Sequence, residues 1–90
     1  MRALDIVTEI AEKVGGDVRE TYSGRYMYGK TCLGIVCDDS TPCIEVAATM
    51  GLRGAKIDGI GYKAIVYWPG IQPDTEIKTP EEEQAEEGGA

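Results

Sequence analysis

Residues 24–31, "GRYMYGKT", match the P-loop pattern of nucleotide hydrolases: Gly, any four residues, Gly, Lys, and then Ser or Thr. In a working P-loop a strand precedes the pattern and a helix follows it, because the amides and dipole of that helix hold the phosphates. The residues that follow here, "CLGIVC", are strand-like, with a Gly and two β-branched residues in the middle. The sequence therefore predicts that the segment connects two strands and does not hydrolyse a nucleoside triphosphate.

The side chains of this segment suit a different chemistry, that of recognition. Tyr26 and Tyr28 can stack on an aromatic group, while Arg25 and Lys30 can hold a phosphate. Arg53, among the glycines of "GLRGAK", is a further candidate for contact with an anion. We expect these five residues to form a partner- or ligand-binding surface. The alternative is that the two tyrosines cover the edge of the core while the two cations of the segment face water.

Catalytic and metal-binding chemistry lack the residues they need. The chain contains no His, so a nucleophile would have no imidazole base to activate it. Cys32, Cys37 and Cys43 are five and six residues apart, unlike the closely spaced pairs of a zinc site. Cys43 is the most interesting of them, because the amides at the start of a predicted helix would favour its thiolate. We predict a non-enzymatic protein with no catalytic residue, no metal site and no cofactor.

The first half of the chain reads as a helix followed by two strands. The apolar residues of 3–14 fall on one helical stripe, and Gly15-Gly16 ends the predicted helix. Residues 17–22 alternate, with Val18 and Tyr22 on one side, which predicts a strand with a wet face. Residues 31–37 are apolar or small on both faces, which is typical of a central strand.

The second half repeats this order. A second helix is predicted with Thr41 as its N-cap and Gly51 as its stop. Asp58-Gly59 is a favoured two-residue turn and predicts a second hairpin. In its returning strand, alternate residues share one face: Ile60, Tyr62, Ala64, Val66 and Trp68. The order helix, hairpin, helix, hairpin predicts an α+β fold, in which both helices pack on one face of a four-stranded antiparallel sheet.

The net charge of −7 is concentrated at one end of the chain. Residues 71–90 hold seven acidic residues and one Lys, whereas residues 1–70 hold nine acidic and eight basic residues. This predicts a single domain over 1–70 and an acidic, disordered tail over 71–90. On these grounds we do not expect direct binding of nucleic acid, because a nearly neutral domain lacks a basic stripe. The odd number of cysteines and the polar N-terminus predict a cytoplasmic protein without a membrane segment.

The stretches "YSGRYMYGKTCLGIVCDD" and "YKAIVYWP" carry a resemblance that covers about two-thirds of the chain. The chain resembles small proteins encoded in bacteriophage and prophage genomes, which have a segment like Ser-Gly-Arg-x-Met-Tyr-Gly and then Cys-x-Gly-Ile. The resemblance implies a setting and no particular activity: small, single-domain, non-enzymatic phage proteins often act by binding and blocking a host component.

That setting gives one main hypothesis and two alternatives. The main hypothesis is a phage counter-defence inhibitor of anti-CRISPR type, which binds a host defence protein complex in the host cytoplasm through the tyrosine–arginine segment or the acidic tail. The first alternative is sequestration of a small nucleotide immune signal by segment 25–30 and Arg53. The second is a phage accessory protein of unrelated role. A homodimer is a further expectation, with a face supplied by Lys63, Ile65 and Tyr67.

Overall fold

The computed structural model describes residues 1–25 and 27–78, which form two helices and one antiparallel sheet. The elements are α1 (Ala3–Val14), β1 (Asp17–Tyr22), β2 (Cys32–Cys37), α2 (Ser40–Thr49), β3 (Lys56–Ile60) and β4 (Lys63–Trp68). The strand order β1-β2-β4-β3 makes β2 and β4 central. The predicted α+β fold and its order of helices and hairpins are confirmed. No helix in these described ranges is long and apolar enough to cross a membrane.

Both helices pack on one face of the sheet, which we call the helix face. The core between them joins the apolar sides of α1 and α2 to one set of strand residues: Leu33, Ile35, Cys37, Val66 and Trp68. A smaller cluster lies on the opposite face, called here the second face: Cys32, Val36, Ile65 and Tyr67. These two clusters cover β2 on both faces, so all six of its residues are buried. The apolar and small residues of its sequence indicate such a central strand.

The ends of the helices follow local capping chemistry. Gly15 ends α1 with a φ of 72°, a left-handed conformation that favours Gly. The N-cap of α2 is Asp39, whose Oδ1 accepts the Thr41 amide N–H at 3.0 Å. The prediction of Thr41 as N-cap was therefore wrong, since the carboxylate two residues earlier satisfies a free amide of the first turn. Gly51, the predicted stop, follows the C-cap Met50 with a φ of 89°.

The turn of the second hairpin lies later than predicted. Ile60 pairs with Lys63, so the two-residue turn is Gly61-Tyr62, and Asp58-Gly59 lies within β3. Gly61 supplies the positive φ, 59°, that a tight hairpin turn needs. The predicted turn was wrong because both dipeptides suit a turn locally, while the pairing with β4 selects one. As a result Asp58 lies opposite Ile65 on the second face instead of at a hairpin tip.

A bulge in β1 changes the face on which Tyr22 lies. Arg19 pairs with Gly34 and Tyr22 pairs with Cys32, so three steps along β1 match two steps along β2. The extra residue breaks the alternation, because each residue added to a strand reverses the side to which the next one points. Val18 packs in the helix-face core, whereas Tyr22 packs on the second face. The predicted shared side of these two residues was therefore wrong.

The described part of the chain continues past the predicted domain boundary at residue 70. Segment 71–78 lies against the N-terminus, where the backbone N–H groups of Ala3 and Leu4 donate to the carbonyls of Thr75 and Pro73 at 2.8 and 3.0 Å. The side chains of Ile71 and Ile77 pack against the helix-face core. Segment 71–78 is thus part of the folded domain, and the rest of the predicted disordered tail, 79–90, lies outside the described residues.

A chain that ends at Gly70 should unfold with a free energy about 2 kcal/mol lower than a chain that ends at Lys78. The backbone hydrogen bonds made by 71–78 each contribute about 0.5–1.5 kcal/mol, and the cost of ordering the segment offsets part of that sum. Urea denaturation followed by circular dichroism measures the difference between the two chains. Equal midpoints and slopes would contradict the structural role given to this segment.

Candidate functional site

The loop between β1 and β2, residues 23–31, folds back over the second face and is held there by Met27. The Gly24 amide N–H donates to Met27 Sδ at 3.1 Å, and the Met27 side chain packs against the second-face cluster. Gly24 is buried against the ring of Tyr67. A Cβ built on Gly24 would stand 3.2 Å from atoms of that ring. Lys30 and Thr31 then lead directly into β2. The segment connects two strands, as predicted, and the helix that a P-loop requires does not follow it.

The predicted site residues of this loop that the structure describes point to solvent. Arg25 and Lys30 are exposed, and Tyr28 is 91% exposed. Tyr28 also has a φ of 53°, which is uncommon for a residue other than Gly. Tyr26 lies outside the described residues. The alternative in which the tyrosines cover the core edge does not hold for Tyr28, because Met27 occupies that position instead.

A groove of about 720 Å³ lies between this loop and the strands β3 and β4. Its walls combine apolar, aromatic and charged groups: Met27, Tyr28, Lys30, Lys56, Ile57, Asp58, Tyr67, Pro69 and Gly70. A smaller recess of about 400 Å³ adjoins it, lined by Tyr22, Arg25, Ile57, Asp58 and Gly59. Ile57 and Asp58 line both spaces, so the groove and the recess are neighbours on the surface.

The structure brings some predicted site residues together and leaves one aside. Tyr28 and Lys30 line the groove and Arg25 lines the recess, whereas Arg53, exposed after α2, lines neither. The second cation that lines the groove, beside Lys30, is Lys56 and not Arg53. Sequence reasoning missed Lys56 because a turn at Asp58-Gly59 pairs it with Gly61, six residues before Tyr67. In the structure β3 ends at Ile60, and Lys56 pairs with Tyr67 beside the loop.

Tyr22 and Asp58 connect the two edges of the sheet across the second face. The Tyr22 hydroxyl donates to Asp58 Oδ2 at 2.6 Å. The Tyr22 ring lies 5.0 Å from the ring of Tyr67, with the two planes tilted by 54°. Burial, followed by the hydrogen bond to Asp58 and its charge, raises the pKa of Tyr22 to about 12. Burial and the same carboxylate raise the pKa of Tyr67.

Burial of Tyr22, together with its hydrogen bond to Asp58, should make the stability of the fold fall between pH 10 and 12. The folded pKa of Tyr22 lies above its ordinary value of 10, so the stabilisation is complete below pH 10 and is lost as the pH rises through about 12. The measurement is the free energy of unfolding against pH for the wild type and for Tyr22→Phe, which keeps the ring and removes the hydroxyl. Parallel curves for the two proteins would contradict the assignment to Tyr22.

The three cysteines are buried and free. Burial, followed by the neighbouring Cys37, raises the pKa of Cys43 to about 12, and burial also raises the pKa of Cys32 and Cys37. The favourable effect of a helix start on Cys43 is therefore outweighed by desolvation, and its thiol is protonated at neutral pH. Within 1–25 and 27–78, no three His, Cys, Asp or Glu side chains are grouped so that they could hold a metal ion.

No protein-family model matches the chain, and no curated protein or solved structure matches it either.

Proposed function

We propose that this protein is a non-enzymatic binding protein that acts as a phage counter-defence inhibitor of anti-CRISPR type. In this proposal it blocks a protein of the host machinery that targets nucleic acid. The observation that carries the proposal is the presentation of Tyr28, a large aromatic side chain that is 91% exposed on a loop anchored to the core. The phage-protein resemblance of the sequence supplies the setting.

Tyr28 has the properties of an interface anchor. Tyrosine is among the residues that most often carry binding energy, because it combines a large apolar ring with a polar hydroxyl. The Lys30 amide N–H donates to the Met27 carbonyl at 3.0 Å, which closes the loop tightly around Tyr28. An anchored loop loses little conformational entropy when it binds, so more of the contact energy appears as affinity. The left-handed backbone at Tyr28 fits this interpretation, since strained residues concentrate at functional sites.

The charges around Tyr28 favour an acidic partner surface. Arg25 and Lys30 flank it in the loop, and Lys56 stands across the groove. Asp58 is the acidic residue among the groove and recess walls, and the Tyr22 hydroxyl already binds one of its oxygens. We therefore expect the partner to place carboxylates near this surface, with Tyr28 inserted between them. Arg and Tyr suit such a contact, because both are enriched at protein interfaces, which are polar at the rim and contain bridging water molecules.

The test is protection of a phage, or of a targeted plasmid, in bacteria that carry a CRISPR defence system and express this protein. We expect the wild type to protect and Tyr28→Ala to lose protection, since a hot-spot residue contributes about 2–4 kcal/mol, or about 30- to 1,000-fold in affinity. Tyr62→Ala is the matched control, because Tyr62 is equally exposed but lies at the other end of β4. Absence of protection by the wild type, or equal loss in both variants, would overturn the proposal.

A second candidate function is sequestration of a small nucleotide, and the size of the groove favours it. A volume of about 720 Å³ lies within the range of about 300–1,000 Å³ that is usual for small-molecule sites. Tyr28 could stack on the base, while Lys30 and Lys56 hold the phosphates. Arg53 has no part in this version, because it does not line the groove.

The nucleotide candidate is tested by thermal denaturation with mono-, di- and cyclic nucleotides. A ligand at 100 times its dissociation constant should add about 2.7 kcal/mol to the free energy of unfolding. Lys30→Gln should lose most of this effect, while Lys13→Gln, on the exposed side of α1, should retain it. If no nucleotide stabilises the wild type, this second candidate is removed and the inhibitor proposal is unaffected.

A further inference from the structure

Strand β3 is an open edge of the sheet with a group of exposed apolar side chains. Its only strand partner among the described residues is β4, so its outer side presents unpaired backbone N–H and C=O groups. Ile57 is 50% exposed and Ile60 is 45% exposed. The strand contains no Pro, and its pairing with β4 shows no bulge. The edge is therefore regular and suited to pair with another strand.

We propose that β3 pairs with β3 of a second copy of this chain, antiparallel and with Ile57 at the centre of the pairing. The two four-stranded sheets then form one continuous eight-stranded sheet around a two-fold axis. The face predicted from the sequence, that of Lys63, Ile65 and Tyr67, does not supply the contact. Ile65 is fully buried and Tyr67 only 7% exposed, because Met27 and Tyr22 pack over them.

Charge favours one register of the proposed pairing over the two nearest alternatives. A two-fold axis perpendicular to the sheet places opposite each other the residues that are equally distant from the central one. Centring on Lys56 would oppose two lysines, and centring on Asp58 would oppose two aspartates, which is unfavourable for residues directly across a strand pair. Centring on Ile57 opposes Lys56 of each copy to Asp58 of the other. Two opposite-charge pairs result, and this complementarity within one strand favours a second copy as the partner.

The side chains needed for these pairs are available in one copy. Lys56 and Asp58 lie on the same face, because their partners in β4 are Tyr67 and Ile65. Lys56 is exposed and forms no ion pair with the described residues. The Tyr22 hydroxyl binds Asp58 Oδ2 and thereby orients the carboxylate, which leaves Oδ1 for the lysine of the second copy. On the other face the half-exposed Ile57 would meet its own counterpart and bury apolar surface.

The test is size-exclusion chromatography with light scattering on the full chain. We expect the wild type to have twice the chain mass of 9.7 kDa. In the proposed dimer, Lys56→Glu creates two pairs of opposed acidic residues, and Asp58→Lys creates two pairs of opposed lysines. Each variant alone should therefore dimerise at least about 10-fold more weakly. Lys13→Glu, with the same charge change on α1, should leave the dimer intact. Circular dichroism verifies that Asp58→Lys, which removes the acceptor of Tyr22, is folded.

Mixing the two variants gives the decisive measurement. In a mixed pair the new Glu faces the new Lys, and Asp58 of one chain faces Lys56 of the other, so both contacts regain opposite charges. We expect a heterodimer from two proteins that are each monomeric alone. A monomeric wild type would overturn the dimer, and a Lys56→Glu variant that still dimerises would overturn the pairing of Lys56 with Asp58 through β3. Two monomeric variants that fail to combine would overturn the register and with it the proposal.

Discussion

Replacing Trp68 with Ala should lower the free energy of unfolding by about 3–5 kcal/mol. Trp68 is the largest fully buried side chain of the described residues and stands in the helix-face core. It pairs with Leu33 across the two central strands, so the cavity left by its removal lies where little can collapse into it. A chain of 90 residues has a total stability of about 5–14 kcal/mol, so the variant should lose about a fifth of it or more.

The measurement is urea denaturation followed by circular dichroism, since the variant lacks the only Trp of the chain. Trp68→Phe is the matched control. It keeps an aromatic ring in the core and removes Nε1, a buried donor that has no acceptor among the described residues. A buried unpaired donor costs about 1–3 kcal/mol, so its removal offsets part of the lost volume. Trp68→Phe should therefore cost much less than Trp68→Ala, and equal losses would show that Nε1 makes a bond the fold requires.

Replacing Gly16 with Ala should destabilise the fold by about 1–3 kcal/mol, although only one methyl group is added. A Cβ at Gly16 would stand 2.6 Å from Ile35 Cγ2 and 2.8 Å from the carbonyl oxygen of Val36. Ile35 is a fully buried core residue and the carbonyl belongs to the backbone of β2, so neither can move aside cheaply. Gly16 is required here for the close approach of the chain to the central strand, directly after α1.

Gly59→Ala is the matched control for Gly16→Ala. Gly59 lies in β3, and a Cβ there would have no heavy atom within 4 Å. Its φ is not in the left-handed region, so Ala fits the backbone, and the change should be neutral or stabilising by about 0.5–1 kcal/mol. Thermal denaturation of the two variants beside the wild type measures both effects. Similar stabilities for the two variants would contradict the close contact at Gly16.

The elements that sequence patterns predicted well depend on short-range signals. The helical stripe of 3–14 and its Gly15 stop gave α1, which spans Ala3–Val14. The apolar residues on both faces of 31–37 indicated a central strand, and β2 is central. The register of the second hairpin was predicted wrongly, because Asp58-Gly59 and Gly61-Tyr62 are both plausible turns. Only the pairing of β3 with β4 distinguishes them.

The candidate site was predictable to the extent that it lies on one loop. Arg25, Tyr28 and Lys30 are neighbours in sequence, so their crowding is visible without a structure. Tyr22 and Asp58 are 36 residues apart and lie on the two edge strands, so no spacing rule joins them. Their contact depends on the bulge that moves Tyr22 to the second face and on the true position of the β3–β4 turn.

The amino-acid sequence by itself determined the α+β class, the central strand and the strand-to-strand nature of "GRYMYGKT", because hydrophobic periodicity and local turn chemistry are encoded in neighbouring residues. Tertiary structure alone decided which way this segment folds, which of its side chains is buried, and which distant residues stand beside it. The physical reason is that Met27, and no Tyr of the described loop, fills the space over Cys32 and Tyr67. That packing leaves Tyr28 exposed beside a groove whose other wall comes from a strand 26 or more residues away in the chain.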